Sequence, residues 1–125
     1  MTDAVHIVEV SPRDGLQNEP DWVATDDKLA LISQLLDSGL RCIEATAFVS
    51  PKWVPQMADA ETLFSRLPAA VDCRFPVLVP NLQGYQRALA SGVKEVAVFT
   101  AASEAFSLKN TNAGIAQSLE RISQV

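Results

Sequence analysis

Apolar positions along this chain follow two different periods, one typical of strands and one typical of helices. Four short segments rich in β-branched and apolar residues predict strands: 5–10, 41–47, 74–79 and 94–100. The segments between them carry apolar residues at helical spacing. Strands that alternate with helices predict an α/β protein with a parallel sheet.

Capping residues indicate where the predicted helices begin and end. Thr25, followed by two acidic residues, is typical of a helix start, and Gly39 of a helix end. A second helix is predicted over 56–66. Asn81 predicts the start of the third helix and Asn112 the start of the last one. The chain is therefore expected to contain four consecutive βα units.

Two architectures share this pattern within a single domain, residues 1–125. One is an open parallel α/β sheet, and the other is half of a (β/α)8 TIM barrel, which takes about 250 residues. In both, ligands bind at the carboxyl ends of the strands. The pattern by itself does not choose between them.

Composition narrows the classes of function. Hydrophobic residues make up 48% of the chain, which is typical of a soluble domain, and the net charge of −5 argues against nucleic acid. No apolar run approaches the roughly 20 residues that a membrane span needs. The amino terminus lacks a signal core, and Cys42 and Cys73 lie in apolar contexts. We therefore expect a cytoplasmic protein with reduced cysteines.

Polar residues with complementary chemistry follow the first two predicted strands. Asp14 carries a carboxylate that suits Mg²⁺ or Mn²⁺, and Arg13 suits a developing oxyanion. An Arg-Asp-Gly tripeptide is also an ordinary turn with a surface ion pair, so spacing leaves both interpretations open. Glu44 interrupts the apolar run CIEATAFV, and a buried carboxylate must be paired or bound to a ligand. Further polar residues follow the third and fourth strands: Asn81, Thr100, Ser103 and Glu104.

Four longer strings resemble the 3-hydroxy-3-methylglutaryl-CoA lyase family, metal-dependent barrel lyases related to Claisen-type synthases. The strings are VEVSPRDGLQNEP, IEATAFVSPKWVPQMAD, PVLVPNLQGYQRALASGVKEVAVFTAASEAF and SLERI. The most specific parts are RDGLQNE and FVSPKWVPQM, because the related synthases usually carry RDGEQ instead. The resemblance favours the barrel over the open sheet.

The resemblance implies cleavage of 3-hydroxy-3-methylglutaryl-CoA into acetyl-CoA and acetoacetate, with an enolate that must be stabilised. Asp14 resembles the ligand of a divalent metal, Mg²⁺ or Mn²⁺. Arg13 resembles the group that binds substrate and stabilises the enolate oxygen. Glu44, as a catalytic residue, and Gln17, as a substrate-binding residue, resemble partners that line the same pocket.

Lys52 and Trp53 follow the second predicted strand and are candidates for binding the acyl-CoA, although a loop Trp also commonly packs against its own fold. His6 is expected to be structural. The family's His-x-His pair and its catalytic cysteine loop are absent from the 125 residues. We therefore expect either the amino-terminal half of a barrel or a unit that self-associates through open sheet edges. A catalytically silent α/β module and a related aldolase or Claisen-type synthase are the alternatives, and RDGLQNE argues against the synthase.

Overall fold

Three short parallel strands with helices between them form the centre of this computed structural model, which describes residues 3–70 and 72–125. The strands are β1 (Thr46–Ala47), β2 (Val77–Leu78) and β3 (Val96–Ala97). The α-helices are α1 (Thr25–Asp37), α2 (Ala60–Ser65), α3 (Leu82–Ala90), α4 (Glu104–Thr111) and α5 (Ile115–Ser123). Two shorter helical turns are a π-helical turn at Ser11–Gly15 and a 3-10 turn at Pro55–Met57.

The strands lie side by side in their order along the chain, β1-β2-β3. Val77 of the central strand is opposite Thr46 on one side and Val96 on the other, and both pairings are parallel. A fourth segment extends the sheet beyond β1, where the Glu9 carbonyl accepts the Glu44 N–H at 2.8 Å. The predicted parallel sheet is confirmed, and the carboxyl ends of its segments meet at one edge.

The observed strands are shorter than the predicted ones, and the first differs most. Within the predicted strand 5–10, only Glu9 forms a bridge, with Ile43. Residues 3–8 are exposed, and Val5 exposes 86% of its surface. The β-branched residues favour extended backbone, but a ladder also needs a partner, and this edge segment has one neighbour within the described residues. The prediction of a full strand is therefore wrong in length.

Apolar side chains pack on both faces of the sheet, because successive strand residues point to opposite sides. On one face, Phe48, Val77 and Val79 lie against Ala60 of α2 and Ala88 of α3. On the other face a smaller cluster is formed by Ala47, Met57 and Leu78, with Leu16 packed against it. A third cluster contains Ile32, Ala45 and Leu63. Through Leu16, the core reaches the segment that follows the first turn.

The predicted caps are confirmed at Asn81 but not at Asn112. Asn81 Oδ1 accepts the Gly84 N–H at 2.9 Å and starts α3. Asn112 instead ends α4 in a left-handed backbone with φ of 52°, and Gly114 precedes α5. Asn suits both positions, because its side chain caps helix starts and its backbone tolerates the left-handed region.

Helices α1 and α2 also differ from the predictions. Helix α1 begins at Thr25, but the Thr25 hydroxyl donates to Asp59 Oδ2 at 2.7 Å and does not cap the helix. The predicted helix 56–66 is divided into the 3-10 turn and α2. This division places Asp59 between two helical turns, where it faces α1.

Both cysteines are free thiols, in agreement with the prediction. Cys42 is buried and Cys73 half-buried, and burial raises the pKa of each thiol. None of the helices that the structure describes has both the length and the apolar character that a membrane crossing requires.

Candidate active site

The turn that carries Arg13 and Asp14 is held by a single backbone carbonyl. Val10 O accepts the N–H groups of Arg13, Asp14 and Gly15 at 3.1, 2.7 and 3.4 Å. Pro12 is buried in the second position of the turn, where a missing N–H leaves no bond unmade because the first helical N–H groups have no partner within the helix. The chain therefore leaves the sheet in a tight helical turn, and the side chains of Arg13 and Asp14 emerge at the carboxyl ends of the strands.

Glu9 supports the start of the same turn. Its Oε1 accepts the Ser11 N–H at 2.9 Å. This backbone hydrogen bond stabilises the charged carboxylate and lowers the pKa of Glu9. Glu9 therefore joins the sheet edge, through its backbone, to the turn, through its side chain.

Arg13 is the centre of a polar cluster that includes three other predicted site residues. Its Nε donates to Glu44 Oε1 at 2.6 Å. Its Nη1 donates to Asp14 Oδ1 at 3.1 Å and to Gln17 Oε1 at 3.4 Å. The structure thus brings together Arg13, Asp14, Gln17 and Glu44, although Glu44 is 31 positions away from Arg13.

Burial differs sharply within this cluster. The Glu44 side chain is 8% exposed and that of Arg13 17%, whereas the Asp14 side chain is 61% exposed. The Glu44 carboxylate therefore has the partner that a buried charge requires. The guanidinium is fixed by Glu44 from within, while the Asp14 carboxylate opens towards solvent and can bind a ligand there.

The donor set at this site fits one part of a divalent metal site. Asp14 supplies a hard carboxylate oxygen, which suits Mg²⁺ or Mn²⁺. Over residues 3–70 and 72–125, no three His, Cys, Asp or Glu side chains come together as a metal site. Asp14 can therefore act as one ligand, and substrate, water or other protein groups must supply the others.

Lys52 and Trp53 lie in the turn after β1, and within the described residues neither forms a hydrogen bond or an ion pair with the Arg13 cluster. The Trp53 side chain is 80% exposed, and Lys52 Nζ is 6.0 Å from the centroid of its ring. Trp53 does not pack into the core of the described structure. A role in binding acyl-CoA stays a prediction for both residues.

Polar residues after β2 and β3 contribute to the helices and not to the cluster. Ser103 Oγ accepts the Phe106 N–H at 3.2 Å and caps α4. The Glu104 carboxylate accepts the Ile115 N–H at 3.2 Å, at the start of α5. Thr100 Oγ1 donates to Ser118 Oγ at 3.5 Å. The sequence placed these residues at the strand ends as candidates for the site, but in the structure their side chains cap helices or pack between them.

His6 lies at the opposite end of the sheet from Arg13. It lines an open depression of about 460 Å³ together with Arg41, Cys42 and Arg74, all of which precede their strands. The side chain of His6 is exposed. The candidate active site and this depression are therefore at opposite ends of the strands.

A buried polar network beside the site was not predicted from the sequence. Lys28, with only 2% of its surface exposed, donates from Nζ to Asp59 Oδ1 at 2.8 Å and to the Gln56 carbonyl. Its Nζ also lies 4.3 Å from the centroid of the Trp22 ring. The signal in the sequence was the position of Lys28 one helical turn before Ile32, on the buried face of α1.

The parallel βα order and the polar cluster at the carboxyl ends define an α/β protein with part of a site at its strand ends. The chain belongs to the HMGL-like family, whose model matches residues 4–125. It is 55% identical over 121 residues to the cytoplasmic 3-hydroxy-3-methylglutaryl-CoA lyase of Danio rerio, covering 97% of this chain and 36% of that protein. Other relatives are named as mitochondrial hydroxymethylglutaryl-CoA lyases.

Solved structures agree with this assignment. The hydroxymethylglutaryl-CoA lyase from Pseudomonas aeruginosa matches with a TM-score of 0.90 and 52% identity, over 94% of this chain and 39% of that one. An HMG-CoA lyase from Acinetobacter baumannii, in complex with coenzyme A and 3-methylmalate, matches with a TM-score of 0.91 and 40% identity, over 99% of this chain and 42% of that one. The predicted barrel fold is confirmed, and the chain spans about two fifths of these solved chains.

Proposed function

We propose that this chain supplies the amino-terminal part of the active site of a metal-dependent carbon–carbon lyase. The reaction is the cleavage of 3-hydroxy-3-methylglutaryl-CoA into acetyl-CoA and acetoacetate. The observation that carries the proposal is the pair formed by the half-buried Arg13 and the buried Glu44, with the exposed Asp14 carboxylate beside it. The identity of 52–55% to named lyases supports the same chemistry.

Arg13 is the residue to which we assign stabilisation of the enolate. When the carbon–carbon bond breaks, negative charge develops on the thioester oxygen of the acetyl group. Nε and Nη1 of Arg13 are held by Glu44, Asp14 and Gln17, whereas Nη2 makes no hydrogen bond within the described residues. Nη2 is therefore the donor available to the enolate oxygen. A guanidinium fixed before the reaction stabilises this charge without reorganising.

Asp14 is the residue to which we assign metal binding. Its exposed carboxylate would hold Mg²⁺ or Mn²⁺, and a bound divalent cation polarises the oxygens of the substrate that it contacts. Asp14 also contacts Arg13, so the metal and the enolate donor would be adjacent. Glu44 keeps the Arg13 guanidinium oriented beside Asp14.

We assign binding of the acyl-CoA to Gln17, Lys52 and Trp53, in addition to Arg13. Gln17 contacts Arg13 directly, so it can bind the reacting part of the substrate. Lys52 and Trp53 offer a cation and an aromatic ring to the anionic nucleotide part. Coenzyme A in the structure of the Acinetobacter baumannii relative supports an acyl-CoA ligand.

Association and location are further parts of the proposal. One carboxylate cannot hold the metal tightly, so we expect the site to be completed by the remaining half of a barrel or by a second copy of the chain. The named cytoplasmic relatives support a cytoplasmic location, and imaging of a tagged protein tests it.

A chimaera provides the decisive experiment. Residues 4–125 of this chain replace the matching segment of the Pseudomonas aeruginosa lyase, and acetoacetate release from 3-hydroxy-3-methylglutaryl-CoA is measured with Mn²⁺ and with chelator. We expect metal-dependent release. Arg13→Ala should lower kcat about 100- to 1,000-fold, the usual effect of removing an oxyanion donor.

Arg66→Ala is the matched control, because Arg66 forms an exposed ion pair with Asp26 on the helical surface. We expect it to keep full activity. A folded chimaera that binds Mn²⁺ but releases no acetoacetate would contradict the proposal and favour the silent α/β module. Release that survives Arg13→Ala would contradict the role assigned to Arg13.

A further inference from the structure

We propose that Gln56 is a positioning residue, which holds the segment 17–23 in place and thereby keeps Gln17 beside Arg13. The inference rests on the proposed function, since it concerns a side chain of the same site. Gln56 is buried in the 3-10 turn after β1. Its hydrogen bonds go to the backbone that follows Gln17 and not to the cluster itself.

The side-chain amide of Gln56 binds three residues of one segment. Nε2 donates to the carbonyls of Glu19 and Asp21 at 3.1 and 2.8 Å. Oε1 accepts the N–H of Val23 at 2.9 Å. A shift of the segment would leave these groups of a buried amide unpaired, which is unfavourable. One side chain therefore fixes the segment at three alternate residues.

Gln56 is itself rigidly held. Its own carbonyl accepts a hydrogen bond from Lys28 Nζ, which is also paired with Asp59. Lys28 belongs to α1, and Asp59 directly precedes α2. The amide is thus attached to a buried network between two helices.

The turn that carries Arg13 has a separate support. Three N–H groups of that turn bind the Val10 carbonyl, and Glu44 binds the guanidinium. Gln17 is held differently, by the packing of Leu16 and by the backbone that Gln56 binds. Loss of the Gln56 amide should therefore displace Gln17 and leave the Arg13 turn intact.

Nuclear magnetic resonance of the 13.5 kDa chain tests this directly. Gln56→Met keeps most of the side-chain volume and removes the amide. We expect amide exchange of Val23 to rise about tenfold or more. We also expect the Gln17 side-chain amide and the Arg13 Nη1–H signals to shift, because these groups contact each other, while the Gly15 backbone signal stays.

Thr25→Val is the matched control, because it removes the hydroxyl bond to Asp59 from the same network without touching the segment. It should leave the Gln17 and Arg13 signals in place, even where it lowers the melting temperature. In a Gln17→Ala background, the Arg13 Nη1–H signal should no longer respond to Gln56→Met, because coupled residues are not additive. Unchanged Gln17 and Arg13 signals in Gln56→Met would overturn the inference.

Kinetics of the chimaera give an independent test. Gln56→Met should raise KM about tenfold and change kcat by less than about twofold, since it displaces a substrate-binding group and not the enolate donor. An equal fall in kcat and kcat/KM would contradict the inference. Failure of the chimaera to release acetoacetate would refute the proposed function, whereas the resonance experiment would still decide the positioning role.

Discussion

The two halves of this chain use their polar side chains in different ways. In residues 9–65, polar side chains connect segments that are far apart in sequence, as in Arg13–Glu44 and Lys28–Asp59. In residues 74–125, Asn81 and Ser103 instead bind backbone at the start of their own helices, as Asn81 does to Gly84. The first half builds a charged cluster between strands, whereas the second half stabilises the starts of its helices.

This difference shows that a polar residue after a strand is by itself an ambiguous signal. Glu44 lies in the sheet just before β1 and Ser103 follows β3, yet the first pairs with a distant guanidinium and the second caps its own helix. What separates them is burial, because a buried charge requires a partner from elsewhere in the fold. Mutations of polar residues in the first half should therefore change stability and activity more than such mutations in the second half.

The largest effect is expected for Asp59→Ala. This change leaves the ammonium group of Lys28 buried without its carboxylate, which should lower the free energy of unfolding by about 3–5 kcal/mol. Urea unfolding of the purified chain measures it. Asp26→Ala, which removes the exposed partner of Arg66, should cost less than about 1 kcal/mol. If the two variants lose the same amount of unfolding free energy, the buried and the exposed ion pair contribute equally to stability.

The next effect concerns Glu44→Gln, which keeps the shape of the side chain and removes its charge. Arg13 would keep its place in the turn but lose the ion pair that orients its guanidinium. By analogy with groups that support an active-site residue, activity of the chimaera should fall about 10- to 100-fold. Steady-state acetoacetate release measures this. An unchanged kcat would make Glu44 a purely structural partner of Arg13.

The order of elements could be predicted from the sequence, because period and propensity are local properties. The parallel sheet and the helix start at Asn81 follow from them. The strand 5–10 was predicted too long, because pairing depends on a neighbour that local sequence does not specify. Helix α4 could have been found, since Ser103 followed by Glu104 is a typical helix start.

The polar cluster was partly predictable, and the partners within the buried network were not. Glu44 stood out as a charge within an apolar strand, so its pairing could be expected, although the partner could not. Lys28 and Asp59 are 31 positions apart, and their contact depends on how α1 packs against the 3-10 turn. Gln56 has no sequence signal of its own, because an amide in a loop is usually solvated.

A smaller effect is expected for the caps of the second half. Ser103→Ala removes the acceptor for the Phe106 N–H and should destabilise the chain by about 1 kcal/mol. Activity of the chimaera should not change, because Ser103 lies outside the Arg13 cluster. Ser103→Asp should preserve stability, since Asp also caps helices well. Loss of activity in the folded Ser103→Ala variant would place a catalytic function in the second half.

The smallest effect concerns the contact between the halves, where Arg87 of α3 binds Glu61 of α2 at 2.7 Å and the Val49 carbonyl at 3.0 Å. The hydrogen bond from Arg87 lowers the pKa of Glu61 below its usual 4.5. Because the folded pKa is depressed, this stabilisation is present above about pH 4.5 and is lost as the pH falls through the folded pKa. Both side chains are partly exposed, so the contribution should be under about 1 kcal/mol.

Urea unfolding of the wild-type chain and Glu61→Gln, at about pH 6 and about pH 3, tests this sign. At the higher pH, the wild-type chain should have a larger free energy of unfolding than Glu61→Gln. This difference between the two chains should shrink at the lower pH. A salt concentration of about 1 M should also reduce this difference in free energy of unfolding at the higher pH, because salt screens the partly exposed Arg87–Glu61 pair. If the difference in free energy of unfolding is the same at both pH values, packing of the Arg87 stem, and not its charge, connects the two halves.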